Sequence, residues 1–538
     1  MGRIFSLASC VIVWLGHAAE GSDDALNRLR YLARNIDINW RDFTMRPSAQ
    51  STERSLANFQ YNLPYFAGEL DTVGALYNRP YFERTWIRQE ITLAARAVVQ
   101  CGRQTMEWDD FRTATASIYW KGFNQAALVN TSATDCTRAL HTVFKICRIA
   151  RGGYRYANIR RILRDAKCSD PRDKLYAVCS MLDAEDQDLG LKPDYTRPVE
   201  ELYTDLASRF LTSYHNLALL ESCELAAKVL DIPSWVPDWS SRMAASNFPF
   251  TNWSACAWIS AQVIVVNENQ IRVAGVLATQ VEHVMASTIM EFDDRVEAKL
   301  QLMRELRPSV QAWAARTGSF AKSVEMHCRA LVCNAFSDFY WPARLDNPVF
   351  DDNYLALFRA WMAGADEKAF EEAIKKVSPH YWSVLSDQIV GRCIFSTTDG
   401  HIGLAPAGTQ AGDVVSVLLG CRYPVLLRPV SDSKEGPTWQ VVGICHAKGL
   451  MMGEAIYGDR LPSHYRSVER KDRQGDLVDG YRVGLYDSKT ETIKSNPDEI
   501  LKDMGIEVEN YKIYPHKLEV LPEKLRAAGV ALQDFTLV

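Results

Sequence analysis

Pro80-Tyr81-Phe82-Glu83-Arg84-Thr85-Trp86-Ile87-Arg88-Gln89-Glu90-Ile91-Thr92-Leu93-Ala94, followed by Ala97-Val98-Val99-Gln100-Cys101, is the stretch that sets the fold class. Pro80 suits the first position of a helix, where a missing N–H is harmless, and the apolar spacing carries that helix to about Ala95. A run of β-favouring residues then makes a strand, Gly102 turns it, and a new helix starts at Trp108. Helix, strand, helix in that order predicts an α/β layer. On a helical wheel Phe82, Trp86, Gln89 and Leu93 form an inward stripe, and Ile87, Ile91 and Ala94 make a second apolar patch, with Glu90 between them. A carboxylate one turn beyond a Trp and flanked by apolar groups is partly desolvated, the setting in which functional carboxylates are tuned. The plainer reading is a Glu paired with a neighbouring Arg at the edge of a core.

Upstream, Val11-Ile12-Val13-Trp14-Leu15 has the composition of a central parallel strand. An amphipathic helix over residues 2–9, with Ile4, Leu7 and Ala8 on one face, precedes it, and a turn at Gly16 and Gly21-Ser22-Asp23-Asp24 follows. Two short patterns compete for the same residues. Met1-Gly2-Arg3-Ile4-Phe5-Ser6 fits N-myristoylation, and Arg3 with the apolar run to Leu15 and His17-Ala18-Ala19 imitates a signal peptide. Thirteen cysteines scattered from Cys10 to Cys445 without a CxxC pair favour the strand, because they read as reduced thiols of a cytosolic protein.

Downstream, residues 109–230 read mainly as helices. Asp170, Pro171 and Asp173 start one that packs through Leu175, Val178, Cys179 and Leu182; Thr196-Arg197-Pro198 starts another, buried through Val199, Leu202, Leu206 and Phe210. Ile232-Pro233-Ser234-Trp235-Val236-Pro237-Asp238-Trp239 holds too much proline for a helix, and its tryptophans are expected to pin a loop to the core. From Ala261 the period becomes two, with a hairpin over 263–276 and further strands at 393–396, 401–404, 413–419, 425–428 and 439–446. The resulting division is an α/β unit at 1–115, a helical region at 116–255, an antiparallel β domain at 256–289 and 388–458, and a helical insertion at 290–387 within it. A charged tail occupies 459–538, with one helix near 522–528.

At 538 residues, 47% hydrophobic and 24% charged, the chain is long and apolar enough for several cores, which excludes disorder and small disulfide scaffolds. A net charge of -5 gives no general attraction to nucleic acid or anionic membrane. The local exception is 138–167, where Arg138, Lys145, Arg148, Arg151, Arg155, Arg160, Arg161, Arg164 and Lys167 face only Asp165. Arg151-Gly152-Gly153-Tyr154-Arg155-Tyr156 interleaves aromatics with arginines as single-strand binders do. A solvated face pairing with acidic segments explains the run more simply, so nucleic acid is not the expected partner. No apolar run approaches the ~20 residues of a membrane span. No metal-ligand spacing, HExxH, GxSxG or Walker A string occurs, and the glycines around Asp399-Gly400-His401 precede a strand, so they are read as hairpin turns and not as a phosphate loop.

The chain resembles the fungal heterokaryon incompatibility (HET) domain family. The resemblance is carried, in order, by residues 1–8 with 11–16, Arg84-Thr85-Trp86-Ile87-Arg88-Gln89-Glu90, Cys101-Gly102, Trp108-Asp109-Asp110-Phe111, Asp170-Pro171-Arg172-Asp173-Lys174-Leu175-Tyr176, Pro193-Asp194-Tyr195, the 233–239 segment and Gly403-Leu404-Ala405-Pro406 to Val415. It implies a cytoplasmic protein of non-self recognition and programmed cell death, working through protein partners or self-association. It also implies distant kinship to TIR domains, some of which cleave NAD with a Glu four residues after a helical Trp. Glu90 would then be catalytic and Trp86 supporting, with NAD as substrate and no cofactor required. The family's opening block would lie before Met1, so the resemblance implies an incomplete TIR-like α/β unit with an exposed sheet edge.

Overall fold

The computed structural model describes residues 2–331 and 388–538 apart from 41–43, 59–60, 66–67, 123–132, 149–153, 164, 244, 246–247, 249–252, 286–295, 434–435, 468–484, 495–496 and 513–516, with only isolated positions between 332 and 387. The chain divides into two compact units, residues 1–199 and 200–538.

The first unit runs α1 (Gly2–Leu7), β1 (Val11–Trp14), α2 (Ser22–Asn35), β2 (Ile36–Asn39), β3 (Thr44–Pro47), α3 (Asp71–Tyr77), α4 (Ile87–Leu93), β4 (Ala97–Cys101), β5 (Gln104–Glu107), α5 (Trp108–Gly122), α6 (Ala133–Cys147), α7 (Tyr156–Ile162), α8 (Asp173–Tyr176) and α9 (Ala184–Gln187). Its sheet has the order β1-β4-β5. β1 and β4 pair in parallel from Val11 opposite Ala97 to Trp14 opposite Gln100, and β5 folds back on β4. Leu26, Leu29 and Leu32 of α2 and Phe111 of α5 recur at helical spacing and are fully buried in the same core as Val13 and Val99.

The α/β expectation holds, but β1 lies at the edge of the sheet and not at its centre. Val11 and Val13 are buried, while Ile12 and Trp14 are 57% and 44% exposed. The unbroken apolar run conceals a strand buried on one face only. α1 also turns differently from its expected face: Phe5 and Ala8 pack on the core, and Ile4 and Leu7 point away from it.

In the second unit the strands are β6 (Ile264–Asn267), β7 (Gln270–Val284), β8 (Arg392–Thr397), β9 (Ile402–Pro406), β10 (Val414–Leu418), β11 (Val425–Ser433), β12 (Gly436–Ile444), β13 (His446–Ala447), β14 (Tyr465–Ser467), β15 (Leu485–Asp487), β16 (Thr492–Lys494), β17 (Asn510–Lys512), β18 (Lys517–Glu519) and β19 (Leu532–Leu537). The principal sheet runs β10-β11-β12-β19-β7-β8-β9-β13, and β10 also pairs with β7, closing β10, β11, β12, β19 and β7 into a ring. Closure removes the edges that an open sheet leaves free. Fifteen residues let β7 serve β19 over 271–276, β10 over 275–280 and β8 over 281–284.

Two expectations need correction. The sheet is not wholly antiparallel, because β12 and β19 run parallel. The segment from 459 is also no simple tail: it contributes β14–β18, the helices Pro497–Asp503 and Pro522–Ala527, and β19. Most of its described charged residues are exposed or half-buried, Asp487 being buried, while Phe535 and Leu537 are fully buried. The expected helical insertion appears as Val296–Thr317 and Phe320–Leu331 between β7 and β8; most of its second half lies outside the described residues. Trp235 and Trp239 are each 1% exposed, so the 233–239 loop is pinned as expected. Gly400 sits at φ +86 in the β8–β9 hairpin turn, where the sequence placed a turn.

Candidate functional site

The helix expected from Pro80 to Ala95 is two pieces. A 3-10 turn spans Pro80–Glu83, and α4 begins only after Trp86. Between them Arg84 is extended, and Thr85 N–H donates to the Lys167 carbonyl at 3.0 Å while Lys167 N–H donates to that of Glu83 at 2.5 Å. This short bridge takes the backbone groups a continuous helix would use, and buried, β-branched Thr85 favours it.

The break rotates the wheel. Ile87 and Ile91 face the core with Arg88 and Gln89, whereas Trp86, Leu93 and Glu90 are half-buried. Glu90 N–H nevertheless donates to the Trp86 carbonyl at 3.2 Å, so the two side chains stand one turn apart. Tyr81 O–H donates to Glu90 Oε2 at 3.2 Å. Burial, then the Glu90 charge, raises the Tyr81 phenol well above its ordinary pKa, keeping it a donor.

Trp86 Nε1–H donates to Asp173 Oδ2 at 3.1 Å, and Tyr195 O–H donates to Asp173 Oδ1 at 2.7 Å. Three segments noted separately in the sequence therefore meet here. Sequence reasoning linked Glu90 to Trp86 but missed Tyr81, Asp173 and Tyr195. The available signal was that Asp173 and Tyr195 lie in segments that carry the family resemblance. The helix expected from Asp170 is a single turn, Asp173–Tyr176: Asp170 Oδ1 accepts the Arg172 N–H as an N-cap does, but the turn that follows is closed by i to i+3 bonds, Asp173 N–H to the Asp170 carbonyl and Lys174 N–H to that of Pro171.

Beneath the site, Arg88 is 2% exposed and donates through Nη1 to the Arg84 carbonyl at 2.9 Å; burial lowers its pKa. Gln89 Nε2 bonds Ser180 Oγ. Gly2 of α1 lies so close that a Cβ there would come within 2.8 Å of Ser180 Oγ.

The basic segment behaves as a paired surface. Lys167 bridges Glu83 at 2.7 Å, Arg155 bridges Glu185 at 2.7 Å and contacts Asp183, and Lys145 lies 3.9 Å from Asp165. Tyr154 and Tyr156 are fully buried and offer no stacking face. The side chains of Arg138, Arg151, Arg161 and Arg164 lie outside the described residues.

A small cavity in the second unit, lined among others by Glu221, Glu224 and Arg392, is the other polar concentration. Its charges serve the fold: Glu221 is forked to Arg422 at 3.0 and 2.9 Å, Glu224 Oε1 accepts the Ala245 N–H, and Arg392 stacks 3.8 Å over Phe248. Among the described residues no helix is long and apolar enough to cross a membrane.

Comparison with known proteins finds two family matches, one in each unit. Residues 1–90, ending on Glu90, match the model of the family described as heterokaryon incompatibility protein (HET). Residues 349–465 match the Het-6 beta-barrel domain, which in this chain is completed by β7 and β19 from outside the matched span. The chain is similar to heterokaryon incompatibility protein 6, OR allele, of Neurospora crassa, with 22% identity over 84% of this chain and 78% of that protein. No solved structure matches.

Proposed function

Since the chain belongs to the heterokaryon incompatibility (HET) domain proteins, we propose that it acts in the cytoplasm in non-self recognition after fungal cell fusion, and that it drives cell death by cleaving NAD at Glu90. The observation that carries the chemistry is the Trp86–Glu90 pair, one helical turn apart, with the Tyr81 hydroxyl on Glu90 Oε2. This is the spacing of the catalytic pair in NAD-cleaving TIR-type domains. Nicotinamide leaves as a neutral group and needs no general acid, so one carboxylate beside the ribosyl carbon is sufficient to stabilise the oxocarbenium-like centre. No cofactor enters the reading, because NAD is the substrate. The test is NAD consumption by the full chain and by Glu90→Ala: equal rates would remove Glu90 from the mechanism.

A second reading is a non-catalytic interaction module. Exposed Ile4, Leu7, Ile12 and Trp14 favour it, together with the outer edge of β1, to which no other strand pairs among the described residues. Self-association abolished by Ile12→Lys, in a chain that leaves NAD intact, would support this reading over the first.

A further inference from the structure

We infer that Asp173 is the positioning residue of the Trp86–Glu90 site, and that residues 170–176 and 193–197 form the wall that fixes the Trp86 indole. The inference rests on the reading of Trp86 and Glu90 given above. Trp86 stands where α4 begins, immediately after the break at Arg84 and Thr85, and it is only half-buried, so neither helix nor core packing alone fixes its ring. What fixes it is the 3.1 Å bond from its Nε1–H to Asp173.

Both Asp173 oxygens are used on aromatic donors, Oδ2 by the indole and Oδ1 by the Tyr195 phenol at 2.7 Å. Tyr195 is 50% exposed, yet it is held on three sides. The Arg172 guanidinium lies 5.3 Å over its ring, the Tyr176 ring meets it edge-on at 5.2 Å, and its carbonyl accepts from Arg172 Nη1. Arg172 is itself anchored, donating to Asp170 at 2.8 Å and to the Arg197 carbonyl at 2.9 Å, while Tyr176 O–H donates to the Asp194 carbonyl at 2.9 Å. Burial, then the Asp173 contact, raises the Tyr195 phenol, which keeps it protonated and donating. A half-exposed aromatic tied down this thoroughly contributes little to a core; what the network orders is the indole one turn before Glu90.

The physical requirement is two acceptor oxygens. Asn at 173 keeps one oxygen and no charge: with Oδ1 on the indole its Nδ2 faces the phenol, whose hydroxyl must turn to accept, so both contacts weaken, and Ala offers neither. The experiment uses the full chain labelled with 5-fluorotryptophan, with the Trp86 signal identified by its loss in Trp86→Phe. Asp173→Asn and Asp173→Ala are expected to displace that signal and leave the other tryptophan signals in place; Arg172→Lys, which breaks the fork, displaces it less. With NAD as probe, Asp173→Asn is expected to lower kcat about 10- to 100-fold with little change in KM. Its unfolding midpoint should stay within about 4 °C of wild type, the separation that a purely structural role would not give. A Trp86 signal that stays put in both variants, or moves only together with the others, overturns the inference, as does a displaced signal with wild-type kcat. If the wild-type chain leaves NAD intact, the proposed reaction fails, and the fluorine signal alone decides whether Asp173 positions Trp86.

Discussion

Gly403→Ala is expected to cost the second unit about 3–5 kcal/mol, several times what an ordinary glycine replacement costs. Gly403 lies in β9 opposite Ala447 of β13, and a Cβ at this position would fall 1.9 Å from the His446 carbonyl oxygen and 2.8 Å from Phe395 Cε1. The oxygen is backbone, so no rotamer change relieves the contact, and β13 must retreat by about 1–1.5 Å to reach ordinary van der Waals distance. That retreat loses the two-residue pairing of His446 with Leu404 and of Ala447 with Gly403, at about 1 kcal/mol per hydrogen bond. Overpacking against buried Phe395 adds about 1–3 kcal/mol. Gly400→Ala is the control: Gly400 has φ +86 and open space around its missing Cβ, so only the left-handed backbone is penalised, by about 1 kcal/mol. Urea unfolding of the full chain, followed by fluorescence, separates the two variants by their midpoints. Equal midpoints for Gly403→Ala and Gly400→Ala would refute the claim that β9 and β13 approach at backbone contact.

Ser234→Ala should loosen the strand ring, because Ser234 Oγ accepts the Val441 N–H at 2.8 Å and donates to the Val538 carbonyl. The orphaned N–H costs about 1–3 kcal/mol, and faster hydrogen exchange confined to 439–441 and 532–538 is the signature. Tyr154→Phe should be neutral or stabilising by up to about 1 kcal/mol, since its buried hydroxyl has no hydrogen-bond partner among the described residues; a loss above about 2 kcal/mol in thermal unfolding would contradict that. Lys121 gives a pH signature. Its ammonium donates to the Asn58 and Tyr61 carbonyls at 2.9 and 2.8 Å, but burial lowers its pKa from 10.5 to about 8. A base with a lowered folded pKa disfavours folding while it is charged, and that penalty disappears as pH rises from 8 to 10.5. The stability of wild type relative to Lys121→Met should therefore rise by about 1–3 kcal/mol across this window; a flat or falling difference would contradict the assignment.

Local chemistry was readable where it acts over one or two turns. The strand at 97–101, the Gly102 turn, the Trp108 helix and the β6–β7, β8–β9 and β11–β12 hairpins all follow from periodicity and turn residues. The break at Arg84 and Thr85 was not readable, because its cause is Lys167, which lies 82 residues beyond Thr85. For the same reason Asp173 and Tyr195 were noticed as segments but not joined to Trp86. The run Val11–Trp14 reads as central because composition does not reveal which strands flank it; Ile12 and Trp14 are exposed on one face, and among the described residues only β4 pairs with the strand. β19 was hidden by the charge of its surroundings: only Phe535 and Leu537 carry the alternation, too few to outweigh a polar tail.

The most direct test of the central claim is the rate of nicotinamide release from NAD by the full chain and by Glu90→Gln. The Gln variant keeps an acceptor for the Tyr81 hydroxyl and removes the charge, so the fold is preserved while the stabilising carboxylate is lost. The account predicts release by the wild type and a fall of at least about 100-fold in the variant. Release at the same rate by both, or none by the wild-type chain, would contradict it.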